Sequence, residues 1–241
     1  MTATGGVFAG PGPVIGTQPH GLRSDACRNR DAILAAARDV FARQGLQAPL
    51  EEVARQAGVG IATVYRRFPN RERLVAAALL EKVRQYADAA EQARANPDPW
   101  AGFAEFVRRS CALQANDRGL SDLLSMTLPA SEEVEHLRAT VYRHVTDLAE
   151  RAKAAGRLRP DFVPEDLLLL LIANAAVVHV SGPDAPRAWQ RLVALFLDAF
   201  QHTDGDCLPA APTAAQLSRG MAHLAAERRL GGLEVPPSWP S

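Results

Sequence analysis

The run Glu51–Phe68, EEVARQAGVGIATVYRRF, constrains this chain more than any other. Two short helical patterns flank a glycine-bearing turn. In the first, Val53, Ala54 and Ala57 share one side at i, i+1, i+4 spacing. Ala57-Gly58-Val59-Gly60 closes it, and Gly58 suits the positive φ that helix C-termini often need. The second pattern runs from about Ile61 to Phe68. Val64 and Phe68, at i and i+4, pack back on the first helix, which leaves Thr63, Tyr65, Arg66 and Arg67 pointing elsewhere. A face of one hydroxyl, one phenol and two guanidiniums is not a core face. It suits a DNA major groove, where such groups meet phosphate oxygens and base edges. The bland alternative is a solvated helix face with Tyr65 half in the core.

The flanking residues support two further helices. From about Ala26 to Gln44, the residues Ile33, Ala36, Ala37, Val40, Phe41 and Gln44 form one apolar stripe, with Arg30, Arg38 and Arg43 off it, and Gly45 closes the helix. Pro69-Asn70 ends the second short helix. Asn70 can cap its successor, and Glu72 lies in the first turn, where negative charge is favourable. That helix extends from about Arg71 to Ala95, with Leu74, Ala78, Leu79, Val83 and Tyr86 inward.

From about Arg28 to Leu74 the chain resembles the DNA-binding half of the TetR family of bacterial transcriptional regulators. The resemblance is carried by Ala57-Gly58-Val59 and by Thr63-Val64-Tyr65-Arg66-Arg67-Phe68-Pro69-Asn70-Arg71-Glu72-Arg73-Leu74. These are similar to the family's turn, its T-x-Y-x-x-F core and the K-E-x-L opening of its fourth helix. One departure stands out: Ala48-Pro49-Leu50 occupies the place where the family usually has a capping, phosphate-touching Ser or Thr. Proline suits a first helical turn, so the helix can still start there. The resemblance implies DNA contact by Thr63, Tyr65, Arg66 and Arg67, and by Gly60 and Ile61, whose amides open a helix N-terminus. Arg71 stands where the family places a phosphate-contacting Lys. For Arg30, a phosphate contact and a solvated guanidinium fit equally. Arg66 or Arg67 on guanine is the chemically natural base contact, with a discrimination of roughly 1–3 kcal/mol.

Net charge is zero over 241 residues, which argues against a uniformly basic coat. Its distribution says more. Residues 22–84 hold 12 Lys/Arg and 7 Asp/Glu, whereas residues 85–241 hold 15 and 20. A basic head on an acidic body fits one end facing phosphates. Cys27, Cys111 and Cys207 stand far apart without a C-x-x-C, as in a reducing cytoplasm. Residues 1–21 carry no charge and are rich in Gly and Pro, which predicts a disordered arm rather than a signal peptide. The most apolar run, Leu167–Val178, is shorter than the roughly 20 residues of a membrane span and contains Asn174, so it reads as a buried helix and no membrane partner is expected.

After the break at Asn96-Pro97-Asp98-Pro99 the body reads as further helices. Trp100, Phe103, Phe106, Val107 and Cys111 stripe one; a loop with a short helix follows over Asn116–Thr127. Val134, Leu137, Val141, Val145 and Leu148 stripe a long helix that ends at Gly156. The run 164–180 is apolar nearly all round and must be covered on more than one side. Trp189, Leu192, Val193, Phe196 and Phe200 mark the last large helix. In the family the last two large helices pair with their copies in a four-helix bundle. Excess apolar surface independently favours that pairing, through Leu168, Leu171, Ile172, Trp189, Leu192 and Phe196. Full coverage within one subunit is the alternative. From 202 on the chain reads as a flexible tail with one amphipathic segment, Ala214–Leu230.

The expected fold is therefore all-α. Residues 22–70 form a three-helix, helix-turn-helix head, and 71–201 a helical body whose connecting helix is 71–95. The resemblance implies an effector cavity in that body. Candidates for its lining are Trp100, Phe103, Phe106, Met126, Tyr142, Asn174 and His179, each also explicable as an ordinary core residue. Asn174 and His179 stand out because polar groups on so apolar a helix need partners. No cofactor is expected. Gly58-Val59-Gly60 has no strand before it and Thr63 where a dinucleotide fingerprint needs its third glycine. His136 and His144, eight residues apart, do not make a metal pair. Neither a nucleophile elbow nor a phosphate loop supports catalysis. The expectation is a homodimeric regulator, commonly a repressor in this family, that binds an operator and answers to a small-molecule effector. The alternatives are a helical binding protein or enzyme whose head has lost DNA function, and an interaction module working through 214–230.

Overall fold

The computed structural model describes residues 20–125, 132–201, 207–217, 219–220 and 223, and the regular structure among them is all α-helical. The helices are α1 (His20–Gln44), α2 (Leu50–Ala57), α3 (Ile61–Arg67), α4 (Arg71–Arg94), α5 (Pro99–Asn116), α6 (Arg118–Ser125), α7 (Glu132–Ala154), α8 (Pro164–Ser181) and α9 (Ala188–Gln201). The all-α class and the order of elements match the sequence reading.

Helix starts follow the local chemistry. Asn70 Oδ1 accepts from Arg73 N at 2.9 Å at the head of α4. Asp98 Oδ1 accepts from Trp100 N and Ala101 N at 2.9 and 3.0 Å, with Pro99 as the first helical residue of α5. Asp166 Oδ2 takes the Val163 amide at 2.9 Å as α8 begins.

The helices close over two apolar cores. The first gathers Ile33, Ala37, Val40 and Phe41 of α1, Leu50, Val53 and Ala54 of α2, Val64 and Phe68, Leu74 to Val83 of α4, and Leu120 and Leu123 of α6. The second gathers Tyr86 to Ala93 of α4, Phe103, Phe106, Val107 and Cys111 of α5, Val141 to Ala152 of α7, and residues of α8 and α9. Helix α4 therefore runs through both, over a length of roughly 36 Å. In the second core Phe103, Phe162 and Phe200 meet edge-to-face, with ring centroids 5.1 to 6.4 Å apart.

One boundary and one face assignment differ from the sequence reading. Helix α1 begins at His20, about six residues early, and so takes in the last two residues assigned to a disordered arm; residues 1–19 lie outside the described residues. Gln44 is exposed rather than part of the α1 stripe, because the helix ends there and Gly45 turns the chain. In the tail, Thr213 and Gln216 exchange side-chain and backbone hydrogen bonds at the start of a short turn. Met126, Met221, Leu224 and Ala225 lie outside the described residues.

Helix α8 has the length and composition of a membrane span, but it packs against α5, α6, α7 and α9. Of its 18 residues only Leu167, Leu170, Leu171 and Asn174 are buried. A helix apolar on all sides is thus only partly covered within a single chain.

Candidate nucleic-acid interface

The site begins with α2. Pro49 precedes it and supplies no side-chain cap, so the hydroxyl missing from the sequence is missing from the helix start as well. Leu50, Val53 and Ala54 bury its inner face. Gly58 ends it at φ 67°, ψ 29°, a left-handed conformation that glycine takes without a Cβ penalty. There its amide reaches Arg55 O at 3.2 Å while Val59 N reaches Ala54 O at 3.0 Å, the reversal that stops a helix. Two residues later Gly60 is extended, and Thr63 N closes the first turn of α3 on Gly60 O at 2.8 Å.

Helix α3 is anchored from one side. Val64 is wholly buried and Phe68 nearly so. Phe68 N closes on Val64 O at 2.8 Å in an extended conformation, and Pro69 prevents continuation. The opposite side is open: Tyr65 is 48% exposed, and Arg66 and Arg67 are exposed. Thr63 is half-buried and its Oγ1 accepts from Arg66 Nη2 at 3.3 Å. Gly60 is exposed and Ile61 half-buried against the head core. Tyr65 is therefore not half in the core. Its phenol and two guanidiniums form one protruding edge.

The remaining basic candidates are placed differently. Arg30 is exposed with its guanidinium 5.8 Å from the Phe68 ring centroid, a cation–π contact beneath α3. Arg71 was expected on a phosphate. Its Nη1 instead donates to Leu46 O at 2.8 Å and Ala48 O at 2.7 Å, which turns it inward onto the chain ahead of α2. On the outer side of α2, Arg55 and Glu52 pair at 2.6 Å; their mutual hydrogen bond lowers the Glu52 pKa and raises that of Arg55.

Two family models match the chain. The model for bacterial regulatory proteins of the tetR family covers residues 33–78, and that for the SbtR-like transcriptional regulator C-terminal domain covers residues 98–202. Together they span more than half of the 241 residues. The chain belongs to the TetR family. It is a DNA-binding transcriptional regulator of the helix-turn-helix class. The TetR transcriptional regulator SCO0520 from Streptomyces coelicolor is 34% identical, over 71% of this chain and 98% of that one, with a TM-score of 0.47. FadR from Bacillus subtilis, in complex with stearoyl-CoA, is 18% identical over 70% and 97% of the two chains, with a TM-score of 0.53. PfmR from Thermus thermophilus is 18% identical over 72% and 99%, also at 0.53. The last two share the fold. Comparison with curated proteins gives no match.

In this TetR-family body the effector candidates among the described residues do not converge. Phe103 and Phe106 are core residues, 0% and 1% exposed. Trp100 is half-buried, stacks on Phe103 at 5.8 Å and lines an open groove of about 510 Å³ with Trp189 and Gln201. Tyr142 is 50% exposed with its hydroxyl 3.3 Å from Glu165 Oε1, so it faces outward from α7. His179 is exposed near the end of α8, 3.2 Å from Arg118. Both are cavity candidates by sequence, but the rotation of their helices puts them on the surface. Asn174 is fully buried and does have the partner that its setting demands: Nδ2 donates to Cys111 O at 3.3 Å and to Gln114 Oε1 at 2.9 Å.

Gln114 was missed by the sequence reading. It lies three residues after Cys111 on the buried face of α5, a spacing that could have flagged it. Asn174 Oδ1 and Gln114 Nε2 are buried without a protein partner. Nearby, burial pushes the Cys111 thiol up to about 12 and raises the Tyr86 phenol, whose strongest opposing influence is a hydrogen bond with Ser110.

Of the pairing candidates, Leu168, Ile172, Trp189, Leu192 and Phe196 are half-buried. Leu171 is 4% exposed, inside its own chain, and so leaves that set. Leu169, Val180 and Leu195 are exposed and extend the apolar surface of α8 and α9.

Proposed function

We propose that this TetR-family chain is a cytoplasmic homodimeric repressor, released from a pseudo-palindromic operator by a small-molecule effector. The observation that carries the reading is the edge of α3, where Tyr65, Arg66 and Arg67 stand outward beside half-buried Thr63, from an anchor of buried Val64 and Phe68. Such an edge offers phosphate contacts and base readout together. Gly60 and Ile61 add a helix N-terminus for a phosphate. Residues 22–70 act as the reading head and 71–201 as the regulatory body.

Pairing is supported by the uncovered apolar surface of α8 and α9, which a second copy would bury. A two-fold pair carries its reading helices about 34–36 Å apart, one turn of duplex. Effector binding is supported by the two buried amide atoms, Asn174 Oδ1 and Gln114 Nε2, which a polar ligand group or water can satisfy. An effector releases DNA only so far as it prefers the body conformation that misplaces the heads.

Genomic fragments bound by the purified protein supply the operator for the test. Affinity for it is expected to fall steeply with salt, log K changing by about −0.9 per phosphate contacted against log salt. Light scattering should find two protein chains per operator. A flat salt dependence or a single bound chain would contradict the proposal.

A further inference from the structure

Helix α6 follows the body's α5 in the chain, yet it is seated in the head. Leu120 and Leu123 are buried in the same core as Phe41, Val53 and Val64. Gly119 lies flat against α1, where a Cβ would meet Phe41 Cβ and the Phe41 carbonyl oxygen at 3.1 Å. One turn on, Asp122 Oδ2 accepts from Leu46 N at 2.8 Å. Gly45, at φ 81°, makes the approach possible: a Cβ there would lie 2.5 Å from that same oxygen. Arg71 takes the other pole of the same residue, the Leu46 carbonyl. A carboxylate from α6 and a guanidinium from α4 thus grip Leu46 by its N–H and its C=O.

This grip precedes α2 by four residues. With no side-chain cap at Pro49, the contacts of the preceding chain weigh more in placing the start of α2. The placement of α2 decides that of α3, since both share the head core. Helix α6 is in turn tied to the rest of the body. Asp117, which caps it through Leu120 N at 2.9 Å, lies 3.8 Å from Lys82 of α4. Arg118 meets His179 of α8, and Arg138 of α7 donates to Leu123 O at 3.3 Å.

We propose that Asp122 is a positioning residue for DNA binding: through Leu46 it sets the α2–α3 pair against the body. The proposal rests on α3 being the DNA contact. A bond from an amide to a carboxylate is charge-assisted, so its removal is expected to be felt.

The test uses full-length Asp122→Ala and Asp122→Asn, with Tyr65→Ala as control, on a genomic fragment selected by the unmodified protein. Asn keeps a side-chain oxygen that can accept from Leu46 N. In Asp122→Ala, hydrogen exchange across residues 46–50 should quicken and affinity for the fragment should fall roughly tenfold. Helical content and low-salt binding to random DNA should hold. Asp122→Asn should recover most of both losses, and affinity lost equally in both variants overturns the proposal. Gly119→Ala, which presses on Phe41 and leaves the carboxylate in place, should lower affinity in the same direction even where Asp122→Ala fails to fold; unchanged affinity there overturns the proposal. A normal loss in Tyr65→Ala beside unchanged affinity in Asp122→Ala overturns the clamp alone. Unchanged affinity in Tyr65→Ala overturns the α3 reading and the clamp with it.

Discussion

Asn174 on α8 donates to Gln114 on α5 at 2.9 Å, joining two helices 60 residues apart through a pair of amides that the solvent does not reach. Each amide keeps one polar atom without a protein partner. The pair specifies how α8 lies on α5 while leaving hydrogen-bonding capacity inside an apolar body. Removing one member strands the other, whereas removing both removes the demand. Asn174→Leu alone should therefore cost about 1–3 kcal/mol in urea denaturation. Asn174→Leu with Gln114→Met should come back close to the unmodified protein, and a double variant as unstable as the single would show that the amides contribute net stability.

The inward turn of Arg71 makes a second prediction. As a phosphate contact, its loss would reduce the salt slope of operator binding by about one and leave folding alone. As a clamp on Leu46 and Ala48, its loss should cost about 2 kcal/mol of stability and leave the slope unchanged. Chemical denaturation and a salt titration of Arg71→Ala separate the two.

The tail gives a pH signature. Asp161 accepts from Arg159 Nε at 2.5 Å and from Leu208 N at 2.9 Å, and these bonds hold its carboxyl at about 2, below the ordinary 3.8. A carboxylate with a depressed pKa contributes stability that is complete above the unfolded value and is lost as pH falls through the folded one. Stability tied to this group should thus be lost between about pH 4 and pH 2. Thermal melts of Asp161→Asn should be flatter over that interval than those of the unmodified chain.

Pairing through α8 and α9 can be tested at Leu195, which is 55% exposed while its neighbours Val193 and Leu197 are buried. Leu195→Glu places a charge on the surface of one chain and inside the proposed pair. Light scattering should show a monomer with unchanged helical content. A Leu195→Glu dimer would place the interface elsewhere.

The reading unit was legible because its signals are local. Gly58 answers a backbone need, and the Val64–Phe68 spacing names the buried side, so the exposed edge follows by subtraction. The α8 pattern gave apolarity without direction: a helix apolar on all sides has no moment to say that Leu171 faces inward and Leu169 outward. Arg71 and Asp122 were opaque for another reason. A long or charged side chain takes the partner that tertiary structure brings, and Leu46 lies 25 residues from one and 76 from the other. The need of Asn174 for a partner was readable; that Gln114 supplies it required the packing of α5 on α8.

The central claim is that the outward edge of α3 lies against duplex DNA. Operator affinity of Tyr65→Ala and Arg67→Ala, with folding checked by circular dichroism, tests it most directly. Both side chains point away from the core, so both variants should keep their helical signal while losing at least tenfold in affinity, the worth of roughly one good contact. Wild-type affinity in both variants would contradict the account.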